Sequence, residues 1–397
     1  MGAGRRGLAV TQPFAVRPAA PVRRRSPSGA LICVAVLALA ALAPGCGGGG
    51  PESGAPTTWS STATSASVLP SSVATWPAPS AGMLALRAKY PAPGELVRLP
   101  DGRLLHLTSI GAGAPTVVME AGSGDWSLTW CLVAPAVAEG SPVTAGTRVV
   151  TYDRAGLGWS GPTGLPPTAA GFVQDLHDGL AAAGVRPPYV LVGHSMGGVY
   201  VRLFAHTYPD EVVGMVLVDP GDERIPEAVG AKSAAAITAG TATVTKLNGQ
   251  KADEVAAGDS VSDQAQIPAD PRWPPKTAAQ YRALFAADPW VYQAIALEGA
   301  SAAGIWDEVA AEHITSLGNI PLVVVRSSTS MGLSGVPALA ARENRVWRRL
   351  QADQATQSSR GRLVVAPISD HYVQLADPSL VITLVERVVA EARALVK

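Results

Sequence analysis

Cysteine is scarce in this chain, with three in 397 residues, and their positions exclude a disulfide framework. Cys33 and Cys46 lie in an N-terminal stretch with the marks of an export signal, which leaves Cys131 alone in everything that follows. A lone cysteine cannot form an internal disulfide; following Trp130 in an apolar stretch, it reads as buried packing. An excess of one charge is missing as well, since 31 Lys and Arg face 31 Asp and Glu. Removing the six arginines of residues 1–45 leaves 25 basic against 31 acidic groups, a net charge near −6. That balance offers no attraction to nucleic acid or to an anionic membrane surface. The apolar run Ala30–Ala43 has only fourteen residues, too few to cross a bilayer comfortably. No Cys/His cluster suggests a metal, no feature calls for a cofactor, and no internal repeat is present.

What the N-terminus does have is order of a different kind. Arg5, Arg6, Arg17, Arg23, Arg24 and Arg25 occur with no acid before the apolar run, which ends in Pro44-Gly45-Cys46. A basic region, a short apolar segment and small residues make an export signal over residues 1–45. Cys46 stands where a bacterial lipoprotein carries its lipidated cysteine, although Ala43 and Pro44 depart from the usual residues there. An acylated Cys46 would tether the protein to the outer face of the cell membrane; plain secretion with cleavage near the same point is the alternative. Residues 46–83 are rich in Gly, Ser, Thr, Pro and Ala. Their composition predicts a flexible, unfolded tether.

From residue 84 to 397 strands and helices alternate, which predicts an α/β domain with a mostly parallel sheet and helices on both faces. Pro100-Asp101-Gly102 marks a hairpin turn. Strands are expected at 115–120, 147–152, 189–192, 212–218, 320–325 and 362–366, and helices at 168–183, 199–208 and 337–357. A final helix is expected after Asp377-Pro378. Residues 221–318 interrupt this alternation between two late strands and contain a helical stretch, Thr277–Ala302. They are expected to form a helical cap. Trp273, Trp290, Tyr292 and Trp306 lie in it, as pocket lining or as helix packing.

The chemistry is concentrated in Tyr189-Val-Leu-Val-Gly-His-Ser-Met-Gly-Gly198. An apolar strand runs into Gly193-His194-Ser195-Met196-Gly197 and a helix follows at once. This is the context in which Gly-x-Ser-x-Gly works as a nucleophile elbow. The turn exposes the serine hydroxyl, a Cβ at Gly193 or Gly197 would clash, and the helix N-terminus favours negative charge at Ser195. The rival reading, a tight turn that happens to be glycine-rich, lacks a reason for both flanking elements.

With this elbow in place, residues from about 84 onward resemble an α/β hydrolase with a cap. The resemblance implies a catalytic base on the loop after the last strand, where His371 stands in Pro-Ile-Ser-Asp-His371-Tyr-Val. It places His106, His177, His206 and His313 in structural roles, and His194 as a scaffold residue with its ring turned away. The family's acid usually follows the next-to-last strand, but residues 320–342 contain no Asp or Glu. One branch, haloalkane dehalogenases among them, carries the acid one strand earlier, which implies Asp219; Asp222 and Asp370 remain alternatives. By correspondence with the family's His-Gly segment, Glu120-Ala-Gly-Ser-Gly124 implies an oxyanion hole made by the backbone N–H groups of Ser123 and Met196. Asp153-Arg-Ala-Gly-Leu-Gly-Trp-Ser160 matches a family loop that braces the site.

The implied activity is that of a serine hydrolase acting on a carboxylic ester or similar acyl compound, with a small-molecule acyl substrate and no cofactor. Peptidase, lactonase, carbon–carbon hydrolase and perhydrolase chemistry on the same residues stay open, as does a ligand-binding protein that keeps the fold. A serine at the elbow argues against the dehalogenase and epoxide-hydrolase branches, whose nucleophile is an aspartate.

Overall fold

A computed structural model describes residues 75–142, 144–259, 271–329 and 332–395. The export-type segment, Cys46 and most of the proposed tether lie outside these residues. The described chain builds an eight-stranded sheet. Its strands are β1 (Glu95–Arg98), β2 (Leu104–Ile110), β3 (Thr116–Glu120), β4 (Val149–Tyr152), β5 (Tyr189–His194), β6 (Val212–Val218), β7 (Leu322–Arg326) and β8 (Gly361–Val365). The spatial order is β1-β2-β4-β3-β5-β6-β7-β8. Pairing is parallel from β4 to β8, while β1 and β2 join in antiparallel fashion at one edge.

The period-2 geometry of each strand divides its side chains between two cores. Leu191, Val118, Val150, Leu217 and Val324 pack with the helices Ala169–Ala182 and Met196–Thr207 on one face. Val190, Val192, Val117, Val216, Val218 and Val325 pack with Ala134–Glu139 and Pro378–Leu395 on the other. Burial on both faces explains why residues 117–119 of β3, 189–192 of β5 and all of β6 run on without polar alternation. The expected strands and helices are present, with ends shifted by a few residues.

Two expectations change. The stretch Thr277–Ala302 is two helices, Pro275–Ala287 and Pro289–Ala311. Pro289 has no N–H and cannot sit inside a helix, whereas at the first helical position it starts one; Asp288 caps the new helix by accepting from Trp290 N at 3.0 Å. The folded domain also begins before residue 84. Trp76 donates from Nε1 to Thr163 O, Trp290 donates from Nε1 to Pro77 O at 2.9 Å, and Ser80 caps a helix, Ala81–Lys89, that buries Met83. Residues 75–83 therefore pack onto the domain and are not tether. Their small, Pro-rich composition conceals two anchors, Trp76 and Met83.

Among the described residues, four helices, Ile225–Ala228, Ala231–Ala256, Pro275–Ala287 and Pro289–Ala311, lie between β6 and β7. Arg87 of the Ala81–Lys89 helix pairs with buried Asp288 at 2.8 Å and so ties that helix to this insertion.

Candidate active site

β5 delivers the chain to the top of the sheet, and Ser195 turns it into the next helix with φ 53° and ψ −121°. A residue with a Cβ rarely occupies that region, and its cost of order 1–3 kcal/mol must be met by the surroundings. Two glycines make the turn possible. A Cβ on Gly193 would lie 2.5 Å from Gly197 O, and one on Gly197 would lie 2.6 Å from Ala121 O and 2.7 Å from Glu120 O. Gly197 is thus required by the loop after β3, which lies directly on the elbow.

His371 stands on the loop between β8 and the short helix Val373–Ala376. Its Nε2 is 2.9 Å from Ser195 Oγ and its Nδ1 is 2.8 Å from Asp219 Oδ2. Asp219, at the end of β6, has φ 41° and is fully buried. Its other oxygen, Oδ1, accepts from Ser327 N at 3.0 Å, Gln351 Nε2 at 2.9 Å and Trp347 Nε1 at 3.3 Å. Burial works against the carboxylate, but the hydrogen bond and charge of His371, with Gln351 and the Ser327 N–H, hold it below the usual range. An ionised Asp219 therefore faces Nδ1, favours a proton there and leaves Nε2 to accept from the serine.

The other two acids are committed elsewhere. Asp222 is buried but bound to Arg224, at 2.7 Å, and to Gln354, at 2.9 Å. Asp370 is exposed and accepts from Tyr372 N at 2.9 Å, a local turn contact. Neither meets the imidazole of His371.

The remaining histidines divide by surroundings. His106 is buried with Nδ1 2.7 Å from Asp153 and Nε2 2.7 Å from Pro93 O. His177 stacks on Tyr208 with ring centroids 4.0 Å apart. His206 lies at the surface beside Glu312, and His313 is exposed, with φ 47°. His194 corrects its expectation, because its ring does not turn away from the site. Nε2 donates to His371 O at 3.0 Å, and its ring centroid is 4.7 Å from that of His371. Burial, then the neighbouring His371 charge, drives His194 down to about 3, so it is neutral. Its fully buried Nδ1 has no hydrogen-bond partner and lies against Gly122.

The loop Glu120–Gly124 is held by one arginine and two carboxylates. Arg154 donates to Glu120 Oε1 at 2.6 Å, Glu298 Oε1 at 2.8 Å, Ala121 O at 2.9 Å and Gly122 O at 2.6 Å. Glu298, from the inserted helix Pro289–Ala311, accepts from Ser123 Oγ at 2.9 Å and Gly124 N at 2.8 Å. Tyr152 donates its hydroxyl to Glu120. Burial pushes Glu120 up to about 7, against the pull of Arg154. Arg154 thus does more than brace a loop, and Glu298, with no motif around it, is invisible in the sequence. A cavity of about 40 Å³ lies at the centre, lined by Ser123, Ser195, Met196 and His371 among others. The two expected oxyanion donors, Ser123 and Met196, both border it. No group of three or more His, Cys, Asp or Glu with metal-binding geometry occurs among the described residues.

Of the cap aromatics, Trp306 borders this cavity. Trp273 and Tyr292 are buried in packing clusters, and Trp290 packs edge-on to Trp76.

Comparison with known proteins places the chain in a family. Over 304 residues the chain is 27% identical to an AB hydrolase superfamily protein of Gibberella zeae, covering 70% of this chain and 87% of that protein. It is 41% identical over 110 residues to the uncharacterised YqjL of Bacillus subtilis, covering 28% of this chain and 41% of that protein. A match to an uncharacterised protein of Schizosaccharomyces pombe, 36% identical over 154 residues, covers 33% and 29%. The chain thus spans less than half the length of these last two relatives. A probable hydrolytic enzyme of Pseudomonas aeruginosa PAO1 shares the fold, with a TM-score of 0.55, 21% identity and coverage of 75% and 95%. Residues 104–384 match the model of the alpha/beta hydrolase family, and the chain is a hydrolase-fold member of that family.

Proposed function

We propose that this protein is a serine hydrolase that cleaves a carboxylic ester or related acyl bond through an acyl-enzyme. The observation that carries this reading is the continuous chain Ser195 Oγ, His371 and Asp219, linked at 2.9 and 2.8 Å. Ser195 attacks the acyl carbon while His371 Nε2 takes the hydroxyl proton. Asp219 holds the imidazole tautomer and stabilises the imidazolium that forms. Charge developing on the carbonyl oxygen is met by the N–H groups of Ser123 and Met196; one such donor is typically worth about 2.7–4 kcal/mol in the transition state. His371 returns its proton to the departing alkoxide, and water then repeats the sequence on the acyl-enzyme.

A serine-directed fluorophosphonate tests this. It should label the wild type and leave Ser195→Ala unlabelled, and Ser195→Ala should lose ester turnover while keeping its melting temperature. Equal labelling of both proteins would overturn the assignment.

The proposal extends to location. The basic region, the apolar run and Cys46 support an exported protein held at the membrane through an acylated cysteine. None of the described helices is long and apolar enough to cross a membrane.

A further inference from the structure

The cavity beside Ser195 is narrow, with about 40 Å³ of accessible space. A second cavity of about 430 Å³ lies outside it, between the helices Ala231–Ala256 and Pro289–Ala311. Ile237, Thr241, Ala302 and Trp306 border both. These four side chains form the neck between a small chemical chamber and a large outer groove. The ring of Trp306 reaches back to the elbow, where a Cβ on Gly221 would lie 3.2 Å from it, and Gly221 N donates to Ser195 O at 2.9 Å.

The groove has a regular origin. On the first helix its wall is Ala234, Ile237, Thr238, Thr241, Ala242 and Thr245, spaced three and four apart, which is one helix face. The facing helix offers small residues, with Gly299 and Ala302 among them. Gly299 packs on Thr245, where a Cβ would collide with its hydroxyl. Small residues on one helix and short ones on the other leave a slot where larger side chains would have interlocked. Lys246 and Asp307 are exposed residues of its wall. Such a channel has little to offer a charged or bulky group until it reaches solvent.

We propose that the substrate carries an unbranched aliphatic chain, which threads the Ile237–Thr241–Ala302–Trp306 neck and lies in the groove while its ester carbonyl sits at Ser195. This rests on the serine-hydrolase reading above. The face from Ala234 to Lys246 is about 18 Å long at 1.5 Å per residue. An extended alkyl chain advances about 1.3 Å per carbon, given C–C bonds of about 1.5 Å, so roughly fourteen carbons span that face.

The test is a p-nitrophenyl ester series from acetate to decanoate. Burying each methylene fully would raise kcat/KM about fourfold, so a partly open groove should still give at least tenfold from butyrate to octanoate. Ala302→Leu fills the neck and should lower the octanoate-to-acetate ratio about tenfold. Ala242→Leu, at an exposed position where folding is not at stake, should lower the decanoate-to-butyrate ratio in the same direction. Acetate turnover without a rise along the series, or variants that leave both ratios at the wild-type value, would overturn the groove while the hydrolase reading stands. Failure of every ester together with failure of fluorophosphonate labelling would remove the hydrolase reading, and the groove proposal with it.

Discussion

The backbone N–H of Ser327 donates to Asp219 Oδ1 at 3.0 Å, across the boundary between two neighbouring strands. Ser327 follows β7, at the position where most relatives by resemblance carry their acid. Here that position has no carboxylate, and its backbone instead steadies one offered from the end of β6. Asp219 N returns the contact by donating to Val325 O at 2.7 Å. The two strand ends act as one support for His371.

Asp219→Asn should therefore fold and lose most ester turnover, by at least a hundredfold; the same change in a serine protease triad costs about 10⁴. It should also lower the melting temperature, because an amide cannot satisfy His371, Ser327, Gln351 and Trp347 together, and an unsatisfied buried group costs about 1–3 kcal/mol. Asp222→Asn and Asp370→Asn should keep turnover within about threefold of wild type. Steady-state kinetics of the three variants decide it; collapse of Asp370→Asn with an intact Asp219→Asn would move the acid.

Glu298→Gln should act on kcat more than on KM. Glu298 touches Ser123, Gly124 and Arg154, and so sets the loop that we propose supplies an oxyanion N–H, a contact made only in the transition state. The expected loss is about ten- to a hundredfold in kcat with KM changed by less than threefold. A raised KM with wild-type kcat would make Glu298 a substrate contact and not a positioning residue. Thermal melts of the same variant separate either effect from unfolding.

Acidity should act on stability through the buried pair His106 and Asp153. Burial opposes charge on His106, but Asp153 and Pro93 O together hold it protonated, and its pKa is raised above 6.5. A raised folded value means that this stabilisation is complete below about 6.5 and is lost as pH rises through the folded value. The melting temperature should fall on the alkaline side, and His106→Gln should lose that part of the slope while being less stable at neutral pH. Asp153 is lowered despite burial, by His106 and by the N–H groups of Ser127 and Trp159, so its contribution is present above 3.8 and disappears on further acidification. A His106→Gln melting curve parallel to wild type from pH 6 to 9 would dismiss the pair as the source.

Cys46→Ala tests the anchor. In a bacterial host that processes lipoproteins, the wild type should fractionate with membranes and take up labelled palmitate. The variant should appear in the soluble or secreted fraction without label. Wild-type protein that never takes up label would replace the anchor with simple secretion.

How much of this was legible in the sequence follows from the range of the forces involved. The elbow is a local object. Strand, glycines, serine and helix lie within twenty residues, and sterics between near neighbours dictate the turn, so Tyr189–Gly198 announces itself. The alternation of strands and helices is equally local in origin, because side-chain periodicity reports which faces are buried. The place of His371 after the last strand is one that a linear reading can count. Asp219 was one of three candidates, because choosing among carboxylates requires knowing which strand ends are adjacent, and adjacency exists only once β6, β7 and β8 are laid side by side. The break at Asp288-Pro289 and the packing of Trp76 escape a linear reading for opposite reasons. Helical periodicity continued through the first, and a disordered-looking composition masked the second. Glu298 had no signal at all. It lies 144 residues from Arg154 and 175 from Ser123, and only the folding of the inserted helices over the sheet brings a buried carboxylate to those partners. Local sterics and periodicity thus settled the elements and the turn at Ser195, while the desolvated, long-range hydrogen bonds that orient Asp219 and the Glu120–Gly124 loop were decided by the tertiary structure.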